Sequence, residues 1–482
     1  MMPKQTGHVV FLTILLLLFI LNGCGSVGGG SNGGGGESSG GRPGQPIAER
    51  IVALIPNTKG RSLVRGEAGA VERFATVDVT TSNSNAITVI TAAADGSFQL
   101  FVDASSGDLL RIAVRSSTGV SPITTVTVLS PADAVKTGVV ITGDDPLKIV
   151  ISGTTGFVVN SGSHAITNFD LDSLRALFPF IVFTNNSGPF DLAFLNETLA
   201  YVSNTATENL TLVNPRTSQI TGMIQGTSLI PFRDPRGLAI SYGKLYVANA
   251  NILGANPTSH GLGSITVIET STNRIIGSIT TTQLNPQFLT AVGSNRVYVV
   301  NSGTLTTRSL LASTSLEAST EGGVDVIDTT TDRIIANIPL GLGGPVKLAV
   351  APDRRRGFLP SALRGVVFVV DLVANIPIND ANNPLVITSS STSISDIKIN
   401  ADGLAFIGSF GSDEIFVFDT ANGILNPPPF VAPFRVGSGG RNAAGVQDLA
   451  LRSGTFSGPD LFVLTSLNRS ISTINTRLFS PE

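Results

Sequence analysis

"YGKLYVANA" (Tyr242–Ala250) and "SNRVYVVNS" (Ser294–Ser302) decide how this chain folds. They lie roughly fifty residues apart, yet share a tyrosine, its flanking apolar positions and an asparagine. Isolated hairpins have no need to resemble one another. Stacked copies of one unit do, because each copy must bury its faces against the next.

The unit grows outward to "PRGLAISYGKLYVANA", a variable loop, and "GSITVIETSTNRIIGSI". Four apolar runs divided by turn residues predict four antiparallel strands, here a to d. The strand-b aromatic recurs as Phe157, Tyr201, Tyr246, Tyr298, Phe358, Phe406 and Phe462, and three residues later stands Asn160, Asn204, Asn249, Asn301, Ser361, Ser409 or Thr465. Strand c closes on Asp170, Asn214, Glu269, Asp328, Asp371, Asp419 or Asn475. The aromatic offers a large surface to pack between sheets, and the short polar residue after it can bond turn backbone. Asp and Asn are suited to start the c–d turn. Strand a begins at Pro146, Pro189, Pro235, Pro286, Pro345, Ile394 and Val446. Seven such copies predict an all-β fold, a seven-bladed β-propeller. The last copy lacks a good fourth strand, and the spare run "VKTGVVIT" (Val135–Thr142) is placed to close the ring.

"YVSN" at Tyr201, "YVAN" at Tyr246 and "YVVN" at Tyr298, with "VIETSTNRIIGSI" and "VIDTTTDRIIANI", resemble the YVTN-type repeats of seven-bladed propellers from periplasmic and cell-surface proteins. The resemblance implies the fold and carries no shared catalytic set. Copies five to seven depart from the Tyr-x-x-Asn pattern.

Ahead of the propeller (132–482), residues 47–131 alternate as short strands, with "ADGSFQL" as a turn and strand, and look like a carboxypeptidase-regulatory or prealbumin-like β-sandwich. Residues 24–46 are Gly- and Ser-rich and read as a flexible tether. Residues 1–23 combine Lys4 with the apolar run "VVFLTILLLLFIL", a signal-peptide pattern. Leu21-Asn22-Gly23-Cys24 resembles a bacterial lipobox, which implies lipidation of Cys24 and a lipid-anchored place in the cell envelope, with Gly25 pointing to the outer membrane. Cys24 is the sole cysteine, so no disulfide supports the fold.

A formal charge of -3 on 482 residues gives no global attraction to polyanions, and nucleic acid is not an expected partner. There are 3 histidines, His8, His164 and His260, too scattered in sequence to spell a metal site, and no cofactor is expected. No hydrolase elbow, zincin, phosphate-loop or haem-attachment motif occurs. The long b–c loops Asn249–Gly263 and Asn301–Gly323 emerge from neighbouring blades on one face. His260, Arg308, Leu310, Leu311 and Leu316 are therefore the candidate binding rim. The resulting expectation is a membrane-anchored, non-enzymatic binding or scaffolding protein whose partner is an envelope protein or polysaccharide. The alternative is a lactonase-like propeller hydrolase with a metal in the central channel, favoured if carboxylates or His164 converge there.

Overall fold

The computed structural model describes residues 42–479, apart from 58, 83, 85, 185, 253–259, 311–312, 389–392, 422–430, 437–444 and 455–458. The signal segment, Cys24 and Leu311 lie outside the described residues.

Seven antiparallel sheets follow one another along the chain as propeller blades, so the fold is the expected all-β propeller preceded by a small sandwich. Their first strands are Pro146–Ser152, Pro189–Asn196, Pro235–Ser241, Pro286–Val292, Ala349–Val350, Ile394–Ile399 and Val446–Leu451. The seventh sheet takes its outer strand from Val135–Ile141, with Ile471 opposite Val140 and Ser470 opposite Ile141. Closure by an earlier strand removes the edge that the last copy would otherwise expose.

Strands b and c are buried on both faces and read as near-continuous apolar runs, as in "LYVAN" and "ITVI". Strand d alternates, as Arg274–Leu284 shows, because one of its faces meets solvent. The repeated polar residues do defined work. Asn160, Asn204 and Asn249 each donate from Nδ2 to a strand-c threonine at 2.9 Å, respectively Thr167, Thr211 and Thr266. Asn160 and Asn249 also accept from the backbone N–H groups of Gly143 and Arg233 in the loops leading to strand a. Asp328 accepts from Thr330 and Thr331 and so starts its c–d turn.

The tyrosines go further than packing. Tyr201, Tyr246 and Tyr298 are buried, and their hydroxyls reach Asn273, Asp332 and the Leu372 carbonyl, each in the c–d turn of the following blade. The Phe copies have no hydroxyl and hold by contact alone, for example Phe358 against Phe418 at 5.9 Å between ring centres.

The sandwich pairs a sheet of Ile51–Ala53, Arg61–Gly66 and Phe98–Asp103 with a second built on Thr76–Thr81 and Leu109–Ser116. Val64, Val77, Leu110 and Ile112 form its core. It abuts the propeller where Ile55 donates its N–H to the Leu478 carbonyl at 2.8 Å and enters the core that holds Phe406 and Phe479.

Candidate functional site on the propeller axis

Six first strands carry an irregular register immediately after their opening residue: between Pro146 and Lys148, Pro189 and Asp191, Pro235 and Leu238, Pro286 and Phe288, Ile394 and Asp396, and Val446 and Asp448. In blade 5 the opening Pro345 pairs with Ser361, the regular ladder resumes only at Ala349, and Lys347 between them has φ of 24°. A bulge inserts a residue and re-aims its side chain. Here the third residue of each strand, in blade order Lys148, Asp191, Gly237, Phe288, Lys347, Asp396 and Asp448, is turned to the axis.

Contacts around the axis, three of them between blades that are not neighbours, establish the convergence. Lys347 of blade 5 donates to Asp448 of blade 7, and its Nζ lies 3.4 Å from Asp396 of blade 6. Lys148 of blade 1 sits over the ring of Phe288 of blade 4, 5.5 Å from its centre, and Lys347 lies 5.3 Å from the same centre. Phe190 of blade 2 meets Phe288 at 5.8 Å between ring centres. Lys398 donates to Asp396 at 2.7 Å.

The carboxylates also tie neighbouring blades together. Asp191 accepts from the Leu238 N–H at 2.9 Å, Asp396 from Leu449 at 2.8 Å and Asp448 from Ile149 at 2.7 Å, in each case the fourth residue of the next blade's first strand. Charge and architecture are thus coupled at one place.

The proton affinities are pushed apart. Burial opposes ionisation of Asp396, but Lys347 and Lys398 overcome it and hold the carboxyl well below the usual range. Burial pushes Asp448 up; Lys347 opposes this, and the neighbouring Asp396 charge adds to the rise. Burial also works against the Lys148 charge, yet Asp191, Asp448 and Asp396 prevail and keep its ammonium protonated far above the ordinary lysine range.

Above this cluster opens a cavity of about 210 Å³, lined by Lys148, Lys347, Phe190, Phe288, Phe410 and Gln447 among others. Asp396 and Asp448 lie beneath its floor, with side chains 0% exposed. Ala362 and Phe410 in the lining follow strand b of their blades, so the cavity faces the same side as the b–c loops. A larger hollow of about 490 Å³ on the opposite face includes Asp460, but that carboxylate is engaged by the N–H and hydroxyl of Thr476.

The residues expected at the rim have other places. His260 Nδ1 lies 3.0 Å from the Ala250 carbonyl within its own loop. Arg308 and Leu310 lie on one strand and Leu316 on the other of the hairpin Leu305–Leu310 with Ser313–Ala318, on the cavity side of the ring. His164 accepts weakly from Gly188 N–H at 3.5 Å and does not line the cavity. Among the described residues no group of three or more His, Cys, Asp and Glu side chains is placed to hold a metal ion. The axial carboxylates are already committed to ammonium groups and backbone N–H donors, so this donor set does not fit the metal of the lactonase-like alternative. Sequence reasoning missed the axial cluster, although the signal was present: "PLK", "PFD", "PVK", "ISD" and "VQD" all place a charge two residues after the start of strand a.

No family model and no curated protein matches this sequence. Among solved structures, the chain is similar to Kuenenia stuttgartiensis hydrazine synthase, with 17% identity over 69% of this chain and 96% of that one at a TM-score of 0.53. It is similar to a streptogramin B lyase, with 11% identity over 71% and 97% of the two chains at 0.52. It is also similar to Staphylococcus aureus virginiamycin B lyase, with 12% identity over 71% and 98% at 0.51. At these identities the likeness shows the fold. The expectation of a non-enzymatic scaffolding protein is corrected to this extent: solved chains of this architecture bear the names of lyases and a synthase, so the fold gives no ground for setting an enzyme aside. The carboxylates assigned to turns are the repeating ones of strand c, whereas those that meet on the axis belong to strand a.

Proposed function

We propose that the chain is an enzyme that opens a carbon–oxygen bond of a small ester or lactone at the mouth of the propeller axis. The observation that carries this is Lys347, held between two buried carboxyl groups under an aromatic-walled cavity. Lys347 and Lys148 supply positive charge where an oxyanion would develop. Asp448, which accepts from Lys347, and Asp396, 3.4 Å from the same ammonium, orient it from below the cavity. Solved lyases built on the same ring of blades add support at the level of fold.

The test is turnover of a panel of linear esters, lactones and cyclic depsipeptides by the full chain, followed by mass spectrometry of the products. Gain of one water marks hydrolysis, and an isomeric ring-opened product marks elimination. Lys347→Met and Asp448→Asn are expected to abolish either reaction while the far-ultraviolet circular dichroism stays that of the parent. Absence of turnover across the panel, or turnover indifferent to both substitutions, would refute the assignment.

Two finer assignments belong with this reading. Membership of the YVTN-type repeats is supported by the three Tyr-x-x-Asn motifs and the tyrosine links they build. Anchoring of Cys24 by lipid, in the bacterial envelope and on the outer membrane, is supported by the apolar leader, the Leu-Asn-Gly-Cys stretch and the Gly-rich segment after it. Mass spectrometry of native protein is expected to find acyl chains on Cys24 as the first residue, and a chain retaining Met1 would end that assignment.

A further inference from the structure

We propose that the axial cavity takes an organic carboxylate, with the anionic group between Lys148 and Lys347 and an apolar body against Phe190, Phe288 and Phe410. This rests on the channel mouth being the reactive site and names the class of product it holds, since opening an ester at its carbon–oxygen bond leaves a carboxylate.

The lining is one-sided in charge. Two ammonium groups reach the cavity, and among its described lining residues there is no carboxylate. The carboxylates that balance the lysines lie below and are already occupied. Asp191 accepts from the N–H groups of Leu192 and Leu238, each at 2.9 Å, and approaches Lys148 only to 3.6 Å. That distance is too long for a good hydrogen bond. An ammonium carries three N–H donors, so Lys148 keeps donors for a ligand on its exposed side, where 23% of the side chain remains accessible. A buried or half-buried donor without an acceptor is costly, and a carboxylate is the acceptor that removes this cost most fully.

The walls select the rest of the molecule. Phe288 lies against both ammonium groups, at 5.5 and 5.3 Å from its ring centre. Phe190 packs beside it at 5.8 Å, and Phe410 and Ile394 complete an apolar surface. A cation would meet like charge, and a fully polar ion would desolvate these rings without covering them. At about 210 Å³ the space is smaller than the roughly 300–1,000 Å³ of drug-sized sites, which suits a small acid or the acidic end of a larger one.

The experiment is titration of the full chain by calorimetry and ligand-observed NMR with a series of carboxylates from acetate through phenylacetate to naphthoate. Each is paired with its neutral amide, and inorganic phosphate is run as a polar anion. The aryl acids are expected to bind about tenfold or more tightly than their amides and than phosphate. Lys148→Gln, which keeps a hydrogen-bonding side chain without the charge, is expected to remove that preference, and Phe288→Leu to weaken acid and amide together. Both variants are checked by thermal melting. Equal binding of acid and amide, no saturable binding anywhere in the series, or an acid preference that survives Lys148→Gln would overturn the proposal. Carboxylate preference without turnover of any ester would sink the enzymatic assignment alone. Turnover of neutral esters without carboxylate preference would sink this proposal alone.

Discussion

The Tyr246 hydroxyl donates to Asp332 Oδ1 at 2.6 Å, and the two residues belong to different blades. Lys244, two residues before the tyrosine, donates to the other oxygen of the same carboxylate at 2.6 Å. The strand-b tyrosine is therefore a link around the ring as well as a packing group. Tyr246→Phe is expected to lower stability by about 1–2 kcal/mol in urea denaturation, since it removes a bond to a charged acceptor while leaving the ring in place. Tyr298→Phe, which loses a bond to the neutral Leu372 carbonyl, should cost about 1 kcal/mol. No loss in either variant would show that the hydroxyls are idle.

Lys347 and Asp448 make a buried pair whose halves depend on each other. Lys347→Met leaves Asp396 and Asp448 without their shared cation and is expected to cost about 3–5 kcal/mol. Adding Asp448→Asn to it removes the carboxyl that had accepted from Lys347 and relieves the crowding of two buried acids, and should recover part of that loss. A double variant as weak as the sum of its parts, followed by chemical denaturation, would deny the coupling.

The two axial carboxyl groups should leave opposite marks on the pH dependence of stability. Asp396 is held low, so it contributes stability above the unfolded carboxylate range that is lost as pH falls toward its folded value. Asp448 is held high, so its contribution is present at acid pH and is lost as pH rises from that range through its folded value. Urea midpoints measured from about pH 3 to about pH 7 should show a shallower acid limb in Asp396→Asn and a shallower fall toward neutrality in Asp448→Asn. Parallel curves for both variants and the parent would contradict the assigned directions.

Gly237 occupies the axial position of blade 3 because the next blade passes over it. A Cβ there would lie 2.7 Å from the Gln287 carbonyl oxygen and 2.7 Å from Phe288 Cα. Gly237→Ala must displace the backbone that carries Phe288, at a cost of about 1–3 kcal/mol. Aryl-acid binding should weaken with it, whereas Gly277→Ala, where a Cβ meets nothing within 4 Å, should leave binding unchanged. Equal effects of the two substitutions would remove the argument for a backbone contact.

Val140 lies in the closing strand, 4% exposed, in a core with Ile149, Phe169, Phe462 and Ile471. Val140→Asp places an unpaired charge between the first and last blades and is expected to cost at least about 3 kcal/mol, with aggregation on heating as the ring edge opens. Thermal melting with light scattering checks this. A melting temperature equal to that of the parent would mean that closure contributes nothing.

The sequence alone determined the class of fold and the size of the unit. The strand-b aromatics, the asparagines and threonines behind them and the turn-forming acids recur because every blade must satisfy the same local demands: two buried faces, a tight turn and a backbone with partners. Strand starts at Pro146, Pro189, Pro235, Pro286, Ile394 and Val446 were legible for that reason, as was the need for Val135–Ile141 to close the ring. Blade 5 was the least legible, and its first strand is the irregular one, with a regular ladder only at Ala349–Val350. The axial site belongs to the tertiary structure. Lys148, Asp191, Phe288, Lys347, Asp396 and Asp448 repeat in position but not in sign of charge, and no local rule tells a charge at the third residue of a strand to point at the axis. Only bulges in register and ring closure bring residues as distant as Lys148 and Asp448 together, where low dielectric makes their charges matter to one another.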